Sequence, residues 1–451
     1  MLDADSTAVI DELPLDYSIL DEIDYKYPTA DSYFAYMTRG CPNKCKFCSV
    51  PQLEPKYQDY IPLHQQLQVA QERFGEQRNL MLLDNNVLAS GCYEKIIDEI
   101  IACGFGKGAT YIPPNPYEIA YRNLTKGIND RAYIRIMVSL YDMLVTKCSN
   151  TNICKDTEVR DTLYKRVMDA ECDQLHTATR EAIIGLHDFI EPLYKKYAYR
   201  PLTRQRIVDF NQGVDGRLIT QEKMKTLSKI NIRPLRIAFD NWKTHRTYER
   251  AIRAAAAAGL KDLSNYILYN FDEEPVDLYR RMKLTVDLCE ELKVTIYSFP
   301  MKYHPIDNPK WFRNRDFIGK KWSKKYIRAV QAVLTSTHGK IGRGKQFFEA
   351  AVGSYEEEFH EIMMMPEALI IRRFEHDQSK RERYGKVEDY VDACDNITDQ
   401  WRNAFNALTG EQLAVAVPII HKNQFANESI VVDDPAVYKV FQFYQIQRPN
   451  H

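Results

Sequence analysis

Cys41-Pro42-Asn43-Lys44-Cys45-Lys46-Phe47-Cys48 places three thiols at C-x-x-x-C-x-x-C spacing. With ten cysteines in 451 residues, such a triple arises by chance about 0.005 times per sequence of this length. Three thiolates on one tight loop suit a cubane [4Fe-4S] cluster, whose usual complement is four cysteines, so one iron is left open to bind a further molecule. A zinc knuckle is the competing use of the same thiols. Zinc sites, however, pair C-x-x-C or Cys/His spacings, and no second pair lies close by in sequence.

The loop resembles the defining motif of the radical S-adenosylmethionine (radical SAM) superfamily, Cys-x-x-x-Cys-x-aromatic-Cys, matched by Cys41, Cys45, Phe47 and Cys48. The resemblance implies that the open iron chelates the amino and carboxylate groups of SAM. Reductive cleavage of the sulfonium then yields a 5'-deoxyadenosyl radical, which abstracts hydrogen from a substrate the motif does not identify. It also implies a flavodoxin- or ferredoxin-type electron donor. Around Asp16-Tyr17 and the cysteine loop the chain is similar to the cobalamin-dependent branch. The acidic arm of residues 1–28 leaves no room for a cobalamin-binding domain, so cobalamin is not expected unless another chain supplies it.

The elements that must position this loop alternate strand-like and helix-like from Tyr33 onward, the pattern of a parallel sheet with helical crossovers. Strands are expected at Tyr33–Thr38, Leu80–Leu83, Ile207–Phe210, Leu235–Phe239, Tyr266–Tyr269 and Lys293–Phe299. Helices are expected at Leu63–Phe74, Cys92–Ala102, Gln221–Lys229, His245–Ala258 and Pro275–Leu292. Six such repeats match an α/β fold, the partial (β/α)6 TIM-like barrel of the superfamily, over residues 29–305. A mainly helical accessory domain is expected over 306–451.

In such barrels the chemistry sits at the C-terminal ends of the strands. That rule selects Asp84-Asn85-Asn86, Asp215 and Arg217, Asp240-Asn241 and Asp272. By resemblance, Asp84-Asn85-Asn86 stands where the family has Gly-Gly-Glu toward the SAM amino group. Asn265-x-Ile267-x-Tyr269-x-x-Asp272 stands where an adenine-packing motif falls, and Phe47 packs against cluster and adenine. Arg217 has the planar fork that pairs with a carboxylate, and Asp215 or Asp240 with Asn241 can accept ribose hydroxyls. Asp and Asn at such turns also serve as helix N-caps, which is the alternative use of each.

Residues from about 107 to 206 form an insert. If Ile207 begins strand three, the insert hangs from the face opposite the cluster. If Ala109–Ile112 is that strand, the insert leaves from the catalytic face. Within it, Cys148, Cys154, Cys172 and His176 are a candidate auxiliary metal set, with Cys172 and His176 at i, i+4 on a helix, against the alternative of buried free thiols. Between Lys310 and Lys345, eleven Lys and Arg with interleaved Trp311, Phe312, Trp322 and Tyr326 face Asp316 as the single acid. Such a mixture binds phosphates and stacks bases, or forms a solvated face around the stripe Trp322, Tyr326, Val330 and Val333. Gly339–Gln346 approaches a phosphate-binding loop, but Gln346 replaces the Ser or Thr that holds Mg2+. Net charge is −1, so any nucleic-acid contact must be local. No apolar run nears the roughly 18 residues of a membrane span, and no secretory pattern opens the chain, so a cytoplasmic enzyme is expected.

Overall fold

A computed structural model describes residues 15–306, 310, 313, 315–339, 341, 344–372, 387–425 and 432–448, with 387–395 as helix backbone. The chain forms two compact units: residues 1–39, 58–211 and 226–233, and residues 40–57, 212–225 and 234–451. Both are mixed α/β. No described helix is long and apolar enough to cross a membrane.

The first unit is built on a parallel sheet ordered β1 (Ser32–Ala35), β2 (Asn79–Leu82), β5 (Val208–Phe210). Tyr33 pairs with Leu80, and Leu82 with Phe210. Tyr33, Ala35, Leu80, Leu82, Val208 and Phe210 are all buried, as short apolar runs are when helices cover a parallel sheet. Between the first strands runs α1 (His64–Phe74), and α2 (Tyr93–Ile100) follows β2. In α2, Tyr93, Ile96, Ile97 and Ile100 are buried, the i, i+3, i+4, i+7 stripe of an amphipathic helix.

The insert's place is decided here. Thr110–Tyr111 (β3) pairs antiparallel with Arg204–Gln205 (β4), apart from the parallel sheet, and Val208–Phe210 is that sheet's third strand. The insert therefore hangs from the helix-to-strand side of the first unit, opposite the strand C-termini. Its helices α3 (Pro116–Thr125), α4 (Asp130–Ser149) and α5 (Thr157–Asp169) enclose a core of their own with Tyr117, Tyr141, Leu144 and Leu163. Two short helices follow, α6 (Arg180–Gly185) and α7 (His187–Leu193), and then a π turn at Tyr194–Ala198. Pro192 lacks the N–H that the ladder needs, and the wider turn follows it directly. The N-terminal arm is stitched into this unit: the Tyr17 hydroxyl accepts from Phe34 N at 2.9 Å, and Asn129 Nδ2 donates to Ser18 Oγ at 2.7 Å.

In the second unit, β6 (Leu235–Arg236), β7 (Asp262–Tyr269) and β8 (Thr295–Lys302) form a second parallel sheet in that order. Helix α8 (Gln221–Leu227) precedes β6, α9 (His245–Ala257) joins β6 to β7, and α10 (Pro275–Leu292) joins β7 to β8. Pro275 opens α10 at its first turn, where the missing N–H costs nothing. Asn265 on β7 donates to Tyr248 Oη of α9 at 2.8 Å and Thr285 Oγ1 of α10 at 3.1 Å, so both helices cover one face of the sheet.

The C-terminal part is helical, with α11 (Lys324–Ser336) in a core shared with Trp322, Phe348, Phe359 and Trp401. Two helices follow, α12 (Lys345–Val352) and α13 (Glu356–Met364). Gly353 at φ +101° breaks them, and a Cβ there would lie 2.9 Å from Phe359 N. Helices α14 (Glu367–Arg372), α15 (Val387–Asn406), α16 (Gly410–Lys422) and α17 (Pro435–Phe443) complete the described chain. Leu413–Ile420 lies in α16 behind a Thr409/Gln412 capping box.

Candidate functional site

Arg39 and Gln58 exchange backbone hydrogen bonds of 3.1 and 2.9 Å, so residues 40–57 leave and return at one point. Gly40 starts this loop at φ +70°, and a Cβ on it would sit 2.5 Å from Lys56 O. Only glycine fits that turn. Its N–H donates to Glu54 Oε2 at 2.8 Å, clamping the loop's two ends.

Inside the loop, Cys48 N donates to Cys45 O at 3.1 Å, and Val50 N lies 3.4 Å from Cys48 Sγ. Cys41, Cys45 and Cys48 form no disulfide and are half-buried. Burial, together with the neighbouring thiols and Asp240, pushes the Cys45 and Cys48 thiols up. A bound cation would reverse that electrostatic cost, and an N–H aimed at a sulfur supports a thiolate.

Asn43, within the motif, donates to Asp215 Oδ2 at 3.0 Å. Asp215 caps the short turn Gly216–Leu218 and receives Arg217 Nε at 2.9 Å and Nη2 at 2.6 Å. Burial raises the Asp215 carboxyl, but the Arg217 hydrogen bonds outweigh it and hold the group below the usual carboxylate range. Arg217, expected to present its fork to a ligand, therefore spends part of it on Asp215. Asp240 acts on the Cys45 and Cys48 thiols, and burial pushes its own carboxyl to about 6, against the pull of Arg281 and Arg217. Asn241 serves as an N-cap, accepting from Lys243 N at 2.9 Å. Phe47 meets Phe271 edge-on at 5.9 Å, and Asp272, next along, is exposed.

Two side chains that sequence reasoning passed over dominate the interior near Asp240. Arg281, fully buried, donates to Phe239 O at 2.8 Å and Leu268 O at 2.6 Å, tying the ends of two neighbouring strand segments. Glu273, also buried, lies 3.7 Å from Arg281 Nη2, and burial raises its carboxyl. The available signal was periodicity: Arg281 falls on the apolar face of α10 between Leu278 and Met282, where a charge needs buried partners.

Asp84, Asn85 and Asn86 belong to the first unit. Asp84 is fully buried and accepts from Met37 N at 3.0 Å, from Thr38 Oγ1 at 2.6 Å and from Thr38 N. It joins the ends of β1 and β2. Asn86 is buried beside it, and Asn85 is half-buried.

The candidate auxiliary set in the insert is not carried on one helix at Cys172 and His176. Helix α5 stops at Asp169, and Glu171 takes φ +53°, so Cys172 and His176 share no helix. Cys148, Cys154 and Cys172 are buried, and His176 is exposed. Among the described residues no group of three His, Cys, Asp or Glu side chains is arranged to hold one metal ion. A cubane asks for something different, since each thiolate binds a separate iron and the three sulfurs stand apart. Cys41, Cys45 and Cys48 offer three thiols on one loop, which is the donor chemistry such a cluster takes.

In the basic region Lys325 is buried with Nζ on Met365 O, Lys321 pairs with Glu274 at 2.9 Å, and Arg328 grips Glu367 through two contacts of 3.0 Å. Trp322, Val330 and Val333 are buried, which is the core-stripe alternative. Trp311, Phe312, Lys340, Gly342 and Arg343 lie outside the described residues. No protein-family model and no curated protein matches this chain.

Proposed function

We propose that the chain is a radical SAM enzyme, which reductively cleaves SAM and abstracts hydrogen from an organic substrate. The observation that carries this reading is the Asn43–Asp215 hydrogen bond, which couples the three-thiol loop to Asp215 and Arg217 within one compact unit. A [4Fe-4S] cluster on Cys41, Cys45 and Cys48 would supply low-potential electrons and an open iron for the amino and carboxylate groups of SAM.

The chain's own residues bind and orient. Arg217 pairs with Asp215 through Nε and Nη2, and its Nη1 edge is the one to meet a second carboxylate. Asp215 fixes the guanidinium plane, so little rotamer freedom remains to be lost on binding. Asp240 accepts hydrogen bonds from ribose hydroxyls, and the Phe47–Phe271 pair gives an apolar wall for the adenine. Asp84 acts at one remove by fixing the ends of β1 and β2. Two groups of three parallel strands with helical crossovers support a partial (β/α)6 barrel carrying a helical insert and a helical C-terminal domain. The electron donor would be a flavodoxin or ferredoxin. A noncatalytic nucleic-acid-binding role draws less support, because Lys321, Lys325 and Arg328 are engaged within the fold.

Anaerobic reconstitution with iron and sulfide tests the proposal. About four irons per chain are expected, with 5'-deoxyadenosine released when SAM and dithionite are added. Cys45→Ala should lose both while keeping its far-UV spectrum. Zinc uptake without sulfide, or a full cluster that never cleaves SAM, would sink the reading.

A further inference from the structure

The outside of the cysteine loop carries charge of one sign. Residues 40–57 hold Lys44, Lys46 and Lys56 against Glu54 as the single acid. All three lysines are exposed, and none of their side chains makes a hydrogen bond or ion pair among the described residues. Glu54, by contrast, is engaged by Gly40 N at 2.8 Å. Lys44 and Lys46 stand on either side of Cys45, so the charge borders the thiols.

The neighbouring strand end repeats the pattern. Asp240 acts on the Cys45 and Cys48 thiols, and the turn Trp242–Thr244 just after it leads into α9. Lys243, Arg246 and Arg250 fall at i, i+3 and i+7, on one face of that helical run. They too are exposed and without an ion pair among the described residues. The acids nearby face other partners, Asp215 meeting Arg217 at 2.6 Å and Glu249 meeting Arg253 at 2.8 Å. In a chain of net charge −1 this is a local excess of cations. Leu53, at the end of the short helix Val50–Leu53, is 75% exposed and gives the lysines an apolar centre, with Pro42 and Pro55 exposed beside it.

We propose that this surface docks an acidic protein that delivers single electrons to the cysteine loop. The use of the electron rests on the radical SAM reading; the docking rests on the charge pattern alone. The exchange balances simply: the reduced donor loses one electron, the iron-sulfur centre on the loop gains it, and no bond forms or breaks. Complementary charge speeds encounter and sets orientation without tight binding, which suits a donor that must leave after each electron. An aliphatic group ringed by cations is the arrangement of a protein interface with a polar rim. A nucleic acid would call for aromatic platforms, and the aromatic rings here are occupied, Phe47 edge-on to Phe271 and Trp242 stacked on His245 at 4.5 Å.

The test uses the full-length protein and, as probe, oxidised flavodoxin, an acidic one-electron carrier. Before reconstitution, calorimetry should show saturable binding that weakens roughly tenfold or more between about 20 and about 200 mM NaCl. Lys44→Glu/Lys46→Glu should weaken it roughly tenfold, and Lys243→Glu/Arg246→Glu, off the loop, by roughly threefold or more. Lys155→Glu/Lys165→Glu makes the same change of net charge at exposed positions of the insert and should bind as the wild type does. No saturable binding, no salt dependence, or equal loss in the insert variant overturns the proposal. So does displacement of flavodoxin by single-stranded oligouridylate, which would make the surface one for nucleic acid. After reconstitution, both surface variants should release 5'-deoxyadenosine at the wild-type rate with dithionite and several-fold more slowly with reduced flavodoxin. Equal slowing with both reductants, at wild-type iron content, would also overturn it. Failure of the wild type to cleave SAM with dithionite would sink the radical SAM reading instead, while the binding measurements decide the docking surface on their own.

Discussion

Asn43 Nδ2 donates to Asp215 Oδ2 across 3.0 Å, so a residue inside the cysteine motif and the carboxylate that holds Arg217 form one hydrogen-bonded unit. The loop is thereby oriented by a side chain from 172 positions away in sequence. Asn43→Ala should lose about 1.5 kcal/mol of loop ordering, the low end for a bond to a charged acceptor that is only half-buried. Iron and sulfide per chain after anaerobic desalting should fall several-fold. Asn43→Asp, which sets two carboxylates together, should fall further. Equal retention in both variants would mean that the bond does not order the loop.

Asp84 predicts a pH dependence. Burial, opposed by Thr38 and Met37, raises its carboxyl to about 6, against about 3.9 in an unfolded chain. Between those values the folded state binds the proton that the unfolded state has released, so this contribution is present below about pH 4 and lost as pH rises through 6. It amounts to about 3 kcal/mol when complete. Asp84→Asn should be less stable than wild type, by a margin that shrinks between pH 4 and pH 7 in urea unfolding. A margin that grows over that range contradicts the assignment.

Arg281 carries a buried charge whose anchors are Phe239 O, Leu268 O and the nearby Glu273. Arg281→Ala should cost about 3–5 kcal/mol, because Glu273 is left buried without a counter-charge. Arg281→Met combined with Glu273→Gln should recover a large part of that loss. A double-mutant cycle by thermal unfolding measures the coupling, and strict additivity of the two changes would exclude it.

Lys325 is the opposite case, a cation driven toward neutrality. Burial, reinforced by Arg328 and Arg448, lowers its ammonium to about 7, while Tyr444 and Met365 O remain its near neighbours. The unfolded chain binds this proton up to about pH 10.4. Wild-type stability should therefore rise between pH 7 and pH 10 by an amount on the order of 4 kcal/mol from this group. Lys325→Met should remove that slope and be no less stable than wild type at pH 7. A matching slope in the variant would assign the effect to other groups.

The sequence by itself determined the local elements and the three-thiol loop. Tyr93, Ile96, Ile97 and Ile100 announce α2 by their spacing, Pro275 and the apolar stripe behind it announce α10, and Cys41, Cys45 and Cys48 are neighbours because the chain makes them so. These are consequences of periodicity, capping and short-range geometry, which act over a few residues. Only the tertiary structure decided that Thr110–Tyr111 pairs with Arg204–Gln205 and not with the parallel sheet, that Asp215 occupies part of the Arg217 fork, that Arg281 and Glu273 share the interior near Asp240, and that Lys325 lies in a core while its neighbours in sequence meet solvent. Each of these depends on partners brought from distant positions, and on how much water they exclude. Charge and residue type can be read along the chain, but the local dielectric and the available hydrogen-bond partners exist only once the chain has packed.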